Sequence, residues 1–437
     1  MLKKEFMYMK RMIYILLALL FCLSAVSCGK QPAPTAEPNG TDAPAPGETG
    51  ESESPAPISA ADDFDNRFGK AYASLIETDE AYYYCDTNGA YLYYYDKASG
   101  ERGVLCGKPD CLHDAVRANK ACNGYIESTL KSVNCWDGRL HYVSTDLSIG
   151  KLAIFSMDLD GTGRQRDTVI NDDEIMKTSG LFPQRLDYHR GKLYGWRRYE
   201  TVAGAEPKRR TEIVSIDPKT GDLKVIYSIE DTCPWEQPKL YYFNDYVYFT
   251  YSMTAGTVND FYTVLELWRW NIETEELEKV YATDEQGGIG SWFGIYMESE
   301  DRIYLGPVMS TGEEPVIISV LENGELSTAF QFSDIGTCFI LEGAAVCISP
   351  KQFIEVRSLD GSLIFKGDYD FSFLDELELE DEYRIDVPKA AMGSSEELFI
   401  VYIFNSEQTG KSLDCLVRYD LTADEPSPVL IAVNPWS

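Results

Sequence analysis

Three cysteines and one histidine lie close together in the sequence, with the spacing Cys-x4-Cys-x-His-x8-Cys. They are Cys106, Cys111, His113 and Cys122. Thiolate and imidazole groups are common zinc ligands, and a Cys₃His set completes a tetrahedral site without an open position for substrate. Pro109 favours a turn that would present the first two thiols to one ion. The segment therefore predicts a structural zinc site rather than a catalytic one.

Disulfides are an alternative for the same cysteines. Five cysteines lie between residues 85 and 135, so Cys85 and Cys135 could supply further partners. Connectivity cannot be read from the sequence, and disulfides require an oxidising compartment. In an anaerobe the thiols could also stay free. In all three cases the role is structural, because residues 107–123 contain few apolar side chains and need a cross-link.

A second pair of cysteines lies further along the chain. Cys338 and Cys347 stand on either side of a short apolar run and a Glu342-Gly343 turn. They are predicted to be core thiols, with a hairpin disulfide as the alternative.

The remaining residues do not form a catalytic signature. The segment Gly290-Ser291-Trp292-Phe293-Gly294 misses the spacing of the Gly-x-Ser-x-Gly elbow. His141 and His189 lie in or beside short strands and are predicted to be surface strand residues. Asp158-Leu159-Asp160-Gly161 begins like a calcium loop but lacks the later ligands and the closing Glu, so it is predicted to be a turn. The sequence thus favours a non-enzymatic protein.

One pattern repeats along most of the chain. A turn pair precedes a short aromatic or aliphatic strand near residues 89, 138, 191, 245, 301, 343 and 396, and an Asp- or Gly-containing turn follows each. Asn-Gly and Asp-Gly pairs between apolar runs are typical of β-hairpins. A period of about 50 residues with several strands per repeat is typical of a β-propeller. We therefore expect an all-β propeller with seven blades. The alternative fold is two β-sandwiches, but these would not require such a regular spacing of repeats.

The segment Ile154-Phe155-Ser156-Met157-Asp158-Leu159-Asp160-Gly161-Thr162-Gly163 resembles the blade motif of TolB-like propellers. The chain also resembles Gram-positive bacterial lipoproteins built from the same repeat. The likeness extends over residues 70–430 as a pattern, and it implies the fold but no particular function.

The first 27 residues are typical of a signal peptide. A cationic start that includes Lys3 and Lys4 precedes an uncharged stretch over residues 12–26, which is short for a membrane span. Ala25-Val26-Ser27-Cys28-Gly29 then resembles the lipobox of bacterial lipoproteins. The resemblance implies cleavage before Cys28 and lipidation of its sulfur.

Composition sets the remaining boundaries. Residues 28–62 are rich in Pro, Ala, Ser and Thr and predict a disordered linker that starts at the lipidated cysteine. We therefore expect residues 63–437 to form the propeller domain.

A formal net charge of −32 opposes binding to nucleic acid and to anionic lipid headgroups. An acidic segment over residues 368–386, with Phe371 and Phe373, is predicted to be an insertion loop or a short helix.

Together these features predict a lipid-anchored protein on the outer side of the cell membrane. Its propeller is expected to bind a protein, a peptide or a glycan at the central face of the ring. The alternative is an extracytoplasmic polysaccharide hydrolase or lyase, with acidic residues lining the channel.

Overall fold

The structure is a computed structural model. It describes residues 73–86, 91–113, 119, 121–126, 132–146, 148–172, 186–201, 208–231, 238–257, 260–283, 293–307, 314–377, 379 and 383–436. The predicted signal peptide, the predicted lipidation site Cys28 and the predicted linker lie outside the described residues. Among the described residues, no helix has both the length and the apolar character needed to cross a membrane.

Seven four-stranded antiparallel sheets form the blades of a ring, and each blade uses four consecutive strands. Blade 1 contains β1 (Ala73–Glu77), β2 (Ala81–Asp86), β3 (Leu92–Asp96) and β4 (Arg102–Val104). Blade 2 contains β5 (Val133–Trp136), β6 (Arg139–Asp146), β7 (Lys151–Asp158) and β8 (Gln165–Val169). Blade 3 contains β9 (Leu186–His189), β10 (Lys192–Thr201), β11 (Lys208–Ile216) and β12 (Leu223–Asp231). Blade 4 contains β13 (Lys239–Phe243), β14 (Tyr246–Thr257), β15 (Asp260–Asn271) and β16 (Leu277–Ala282). Blade 5 contains β17 (Phe293–Ser299), β18 (Arg302–Pro307), β19 (Ile317–Glu322) and β20 (Glu325–Gln331). Blade 6 contains β21 (Thr337–Leu341), β22 (Ala344–Ser349), β23 (Phe353–Ser358) and β24 (Leu363–Asp368). Blade 7 contains β25 (Arg384–Gly393), β26 (Glu397–Asn405), β27 (Ser412–Asp420) and β28 (Pro428–Trp436). The predicted all-β seven-bladed propeller is confirmed.

Burial falls from the second strand of a blade to the fourth, and the sequence follows this gradient. All six residues of β22 are buried, because neighbouring blades cover both faces of the strand. In β20, the outermost strand of blade 5, the first four residues are exposed. The second strand β22 is therefore a continuous apolar run, whereas the fourth strand β20 is more polar; the fourth strand of blade 7 is an exception, since Leu430, Ile431 and Ala432 are buried.

The first strands line the centre of the ring. Contacts join β1 to β5, β5 to β9, β17 to β21 and β21 to β25. Between β5 and β9 the side-chain amide of Asn134 bonds to the backbone of blade 3. Its Oδ1 accepts from the Tyr188 N–H at 2.7 Å, and its Nδ2 donates to the Leu186 carbonyl at 3.0 Å. Asn134 therefore joins the inner strands of blades 2 and 3.

The ring closes between blade 7 and blade 1 without exchange of a strand. Glu397 Oε2 accepts from the Tyr82 hydroxyl and from Arg418 Nε, both at 3.0 Å, and the Tyr82 ring lies edge-on against Phe399. The Tyr93 hydroxyl donates to Asn434 Oδ1 at 3.2 Å. Side chains thus provide the closure that a shared sheet would otherwise give.

The repeating turns, which contain Asp or Asn, join the third and fourth strands of each blade, as the sequence predicts. In these turns a side-chain oxygen accepts from backbone N–H groups two or three residues on, as Asp96, Asp217 and Asn271 all do. The turn pairs before the apolar strands join the first and second strands in blades 2 to 7. In blade 1 the aromatic strand predicted after residue 89 is β3, the third strand, and the turn between the first and second strands follows Glu77.

Each of three Gly-containing turns packs against the outer strand of the preceding blade. Gly161 lies against Cys106, Gly221 against Val169 and Gly361 against Phe330, and all three have positive φ. At Gly221 the approach is closest, since a Cβ there would stand 2.0 Å from the Val169 carbonyl oxygen. Gly161 and Gly221 allow adjacent blades to contact one another through backbone, at Cys106 just after β4 and at Val169 in β8, whereas Gly361 lies against the Phe330 side chain.

The acidic segment after blade 6 contains a short 3₁₀ helix, Ser372–Glu376. Phe373 is buried against Tyr402 and Phe404 of blade 7, and Glu376 pairs with Arg102 of blade 1 at 2.8 Å. The predicted short helix is confirmed, and it covers the seam between the last blade and the first.

Candidate metal centre

The four residues of the Cys-x4-Cys-x-His-x8-Cys segment meet at one point. One ligand atom from each of Cys106, Cys111, His113 and Cys122 lies within 4.8 Å of every other. The segment connects blade 1 to blade 2, directly after β4. Cys122 is fully buried and the other three are partly buried. The predicted grouping of the four side chains is therefore present in the structure.

The spacing fits one mononuclear ion. Zinc binds sulfur at about 2.3 Å and imidazole nitrogen at about 2.0–2.1 Å, so tetrahedral S and N ligands stand about 3.6 Å apart. Cys122 Sγ and His113 Nδ1 are 3.4 Å apart. A disulfide would use two of the three thiols and would leave the third thiol and His113 outside the cross-link. The arrangement is thus chemically suited to a metal.

Tight local turns bring the ligands together. The Cys111 N–H donates to the Lys108 carbonyl at 3.2 Å, which closes the predicted turn around Pro109. His113 has a positive φ of 56°, and the Cys122 N–H donates to the Asn119 carbonyl at 2.9 Å. The backbone therefore reverses beside Cys111 and again before Cys122.

Hydrogen-bond donors surround the sulfur atoms. The Asn123 N–H donates to Cys106 Sγ at 3.4 Å, and Asn119 Nδ2 donates to Cys111 Sγ at 3.6 Å. Burial opposes ionisation of Cys106, but hydrogen bonds from the N–H groups of Asn123 and Lys108 and from the other two thiols together lower the pKa of this thiol. Burial, followed by the neighbouring Cys106, raises the pKa of Cys122 to about 12. Such donors orient and stabilise thiolates in metal sites.

The segment is braced against blade 2. The Gly161 carbonyl accepts from the Gly107 N–H at 3.3 Å and from Asn123 Nδ2 at 2.7 Å. Arg164 Nη1 donates to the carbonyls of Cys122 and Tyr125 at 3.2 and 3.0 Å. No sequence signal identified Arg164 or Asn123 as part of the site. The site therefore connects the outer edge of blade 1 to the Asp-Gly turn of blade 2.

A cavity of about 300 Å³ adjoins the site on its other side. It lies between blades 1 and 7 and is lined by Tyr91, Tyr93, Arg102, Gly103, Val104, His113, Ala432 and Val433. Arg102 is already engaged, because its Nη2 donates to Glu376 at 2.8 Å and its Nη1 to the Leu430 carbonyl at 3.4 Å. His113 thus separates the cluster from this cavity.

The other two histidines are buried, so their predicted surface positions were wrong. His189 is fully buried and its Nε2 lies 2.9 Å from the Asn244 carbonyl of blade 4. His141 is 7% exposed and stacks on Trp136 with a centroid separation of 3.6 Å. Both faces of these strands are covered by adjacent blades.

His141 and Ser156 do not form a nucleophile–base pair. Asp167 lies between His141 and Ser156, 3.4 Å from the imidazole Nδ1, and it accepts from the Ser156 hydroxyl at 3.0 Å. The serine therefore bonds to the acid rather than to the base, and it is 1% exposed. In a nucleophile–base pair the serine hydroxyl would instead donate to the imidazole.

Replacement of His141 by Gln is expected to flatten the acid side of the stability profile. Burial, which outweighs Asp167, lowers the pKa of His141 in the folded protein below the value of about 6.5 in the unfolded chain. The unfolded chain then binds more protons, so this contribution to stability is complete above about pH 6.5 and is lost as the pH falls. Urea midpoints at about pH 7.5 and about pH 5.5 measure the change. Equal changes in His141→Gln and the natural protein would contradict this assignment.

Comparisons with family models and with curated proteins give no match. Among solved structures the chain is similar to one from a study of two prolyl endopeptidases, at 11% identity and a TM-score of 0.45, covering 85% of this chain and 51% of the other. It is also similar to the β-propeller domain of the Trilobed protease from Pyrococcus furiosus, at 12% identity and a TM-score of 0.40, covering 82% and 98%. A third is BamB from Moraxella catarrhalis, at 7% identity and a TM-score of 0.35, covering 76% and 96%. The chain spans about half the length of the first of these proteins.

The chain is a seven-bladed β-propeller protein. This class rests on its own seven sheets and their order around the ring. Its connection between blades 1 and 2 contains the Cys₃His segment, which could hold a metal ion.

Proposed function

We propose that the protein is a lipoprotein anchored through Cys28 outside the cytoplasm, and that its propeller binds a protein partner. The resemblance of residues 1–29 to a signal peptide and a lipobox supports the anchor. We also propose that the chain is related to TolB-like propellers and to Gram-positive lipoproteins. The acidic composition makes nucleic acid an unsuitable partner.

One observation carries the binding role. In blade 4, β14 and β15 pair over twelve residue pairs, whereas β22 and β23 of blade 6 pair over six. The neighbours β13 and β16 pair with only the lower part of this hairpin. Among the described strands, residues 253–257 and 260–264 therefore pair only with each other. This ribbon, residues 253–257 and 260–264, is about 17 Å long. A two-stranded ribbon is marginally stable alone, so a partner that packs on it would stabilise it.

Two variants test this proposal in the producing cell. Cys28→Ser removes the lipidated sulfur and is expected to move the protein from the membrane fraction to the soluble extracytoplasmic fraction. Replacing the ribbon with an Asn-Gly turn between the register partners Ser252 and Leu265 is expected to abolish cross-linking of the anchored protein to its partner. An equivalent replacement of the turn at residues 406–410 in blade 7 is the control and should preserve cross-linking.

Membrane retention of Cys28→Ser would refute the anchor. Cross-linking that survives loss of the ribbon would refute the binding surface. Polysaccharide cleavage by the purified propeller would support the enzymatic alternative instead.

The Cys₃His segment is proposed to hold a structural zinc ion. The convergence of His113 with three thiols supports this role, because only metal binding uses all four side chains. When bound, the ion would cross-link a segment that has little apolar core of its own. It would also fix the contact of this segment with Gly161 in blade 2.

A further inference from the structure

Cys338 and Cys347 stand directly opposite each other in blade 6. Cys338 is on β21 and Cys347 on β22, and the two are register partners. Directly opposite residues of an antiparallel pair share one face of the sheet. Both are 1% exposed and belong to the same buried cluster, together with Tyr304 and Ile318 of blade 5. The two thiols therefore occupy one site between blades 5 and 6.

The hairpin geometry places their backbones at the distance that a disulfide needs. Glu342 and Gly343 form a two-residue turn, so the flanking pair Leu341 and Ala344 is hydrogen-bonded. Pairs alternate along an antiparallel ladder, which makes Cys338 and Cys347, three pairs further on, a non-hydrogen-bonded pair. Such pairs have Cα atoms about 4.5 Å apart. Disulfides span Cα separations of about 4.4–6.8 Å.

We propose that Cys338 and Cys347 form a cross-strand disulfide when the chain folds in an oxidising compartment. The reaction is a thiol–disulfide exchange: one thiolate attacks an external disulfide and displaces a thiol, and the other thiolate then attacks the mixed disulfide. A sulfur–sulfur bond forms, both cysteine protons are lost and the external disulfide is reduced to two thiols. The occurrence of this bond in the cell rests on the proposed export of the protein.

Burial restricts when the exchange can happen. Desolvation raises the pKa of Cys338 well above its usual range, and it raises the pKa of Cys347 to about 12. Neither thiol then reacts readily once blades 5 and 6 have packed together. The bond therefore forms during folding, before this cluster closes.

The bond would fix an inner strand of the ring. Strand β21 contacts β17 and β18 of blade 5 and β25 of blade 7. A covalent link to β22 would hold β21 in register while these contacts form. The oxidised chain is therefore expected to unfold at a higher urea concentration than the reduced chain.

Oxidative refolding of the whole mature chain tests the bond without reference to export. The chain is unfolded, reduced and refolded with oxidised glutathione or without it, and free thiols are then alkylated in denaturant. Cleavage after Glu342, which lies between the two cysteines, should yield two peptides that remain joined and are lighter by two hydrogens than the sum of the two free thiol peptides. Cys415 is buried opposite Tyr402 and Val433 rather than another cysteine, and should be alkylated in every sample.

Two controls define the outcome. Cys338→Ala should leave Cys347 alkylated after oxidative refolding, and oxidant added to the folded, reduced chain should leave both alkylated. Alkylation of both cysteines after oxidative refolding of the natural chain, or pairing of either with a different cysteine, would overturn the proposal. Membrane retention of Cys28→Ser would refute only the lipid anchor and would not bear on this bond.

Discussion

The chain purified under reducing conditions with zinc supplied is expected to contain a single zinc ion per molecule, and Cys111→Ser is expected to lose it. Cys111 contributes one of the four converging ligand atoms and is partly exposed, so its replacement alters coordination more than packing. An ion that binds only the folded chain stabilises it by about 4 kcal/mol when free zinc is a thousand times its Kd. A chelator should therefore lower the thermal midpoint of the natural protein and should not change that of Cys111→Ser.

Leu112→Ser provides a matched control for the metal site. Leu112 follows Cys111 and is 79% exposed, so its replacement leaves the four ligand atoms in place. This variant should bind zinc and respond to chelator as the natural chain does. Elemental analysis measures the metal content, and a value below about half an equivalent would refute a metal centre. Alkylation in denaturant would then distinguish disulfides from free thiols.

The turns that join the third and fourth strands were predictable because their chemistry is local. An Asp or Asn side chain that accepts from N–H groups just ahead of it forms the same turn in any sheet. The register of blade 1 was not predictable in this way. Asn88-Gly89 is a stronger hairpin signal than the residues after Glu77, so the sequence pattern does not reveal that two strands of the blade, β1 and β2, precede it. Nothing local marks which hairpin of a blade lies at the centre of the ring.

The candidate site could be found from spacing, whereas its surroundings could not. Cys106, Cys111 and His113 are close in sequence, and Cys122 lies near enough for one loop to bring all four together. Arg164 belongs to the next blade, and its distance from the loop depends on how the two blades twist. His141 was misplaced for a related reason. Alternation predicts one exposed face for a strand, but in a propeller both faces are covered by neighbouring blades.

Replacement of a turn glycine by alanine should lower the stability of the protein most where that glycine lies closest to the neighbouring blade. Gly324, Gly361 and Gly221 all have positive φ, between 77° and 88°, so each replacement has a similar backbone cost of about 1–2 kcal/mol. A Cβ at Gly324 would meet nothing within 4 Å, which makes Gly324→Ala the control for that cost. At Gly361 it would stand 3.0 Å from Phe330 Cβ, and at Gly221 2.0 Å from the Val169 carbonyl oxygen.

The Gly221→Ala chain is expected to be the least stable of the three, by about 3 kcal/mol or more relative to Gly324→Ala. A backbone carbonyl cannot rotate away as a side chain can, so blades 2 and 3 must separate locally. The hydrogen bond from the Asn171 N–H to the Gly221 carbonyl, 2.8 Å long, would be lost with this movement. Urea midpoints should therefore fall in the order Gly324→Ala, Gly361→Ala, Gly221→Ala. Equal midpoints would show that the blades do not depend on these backbone contacts, and that the first strands at the centre hold the ring together without them.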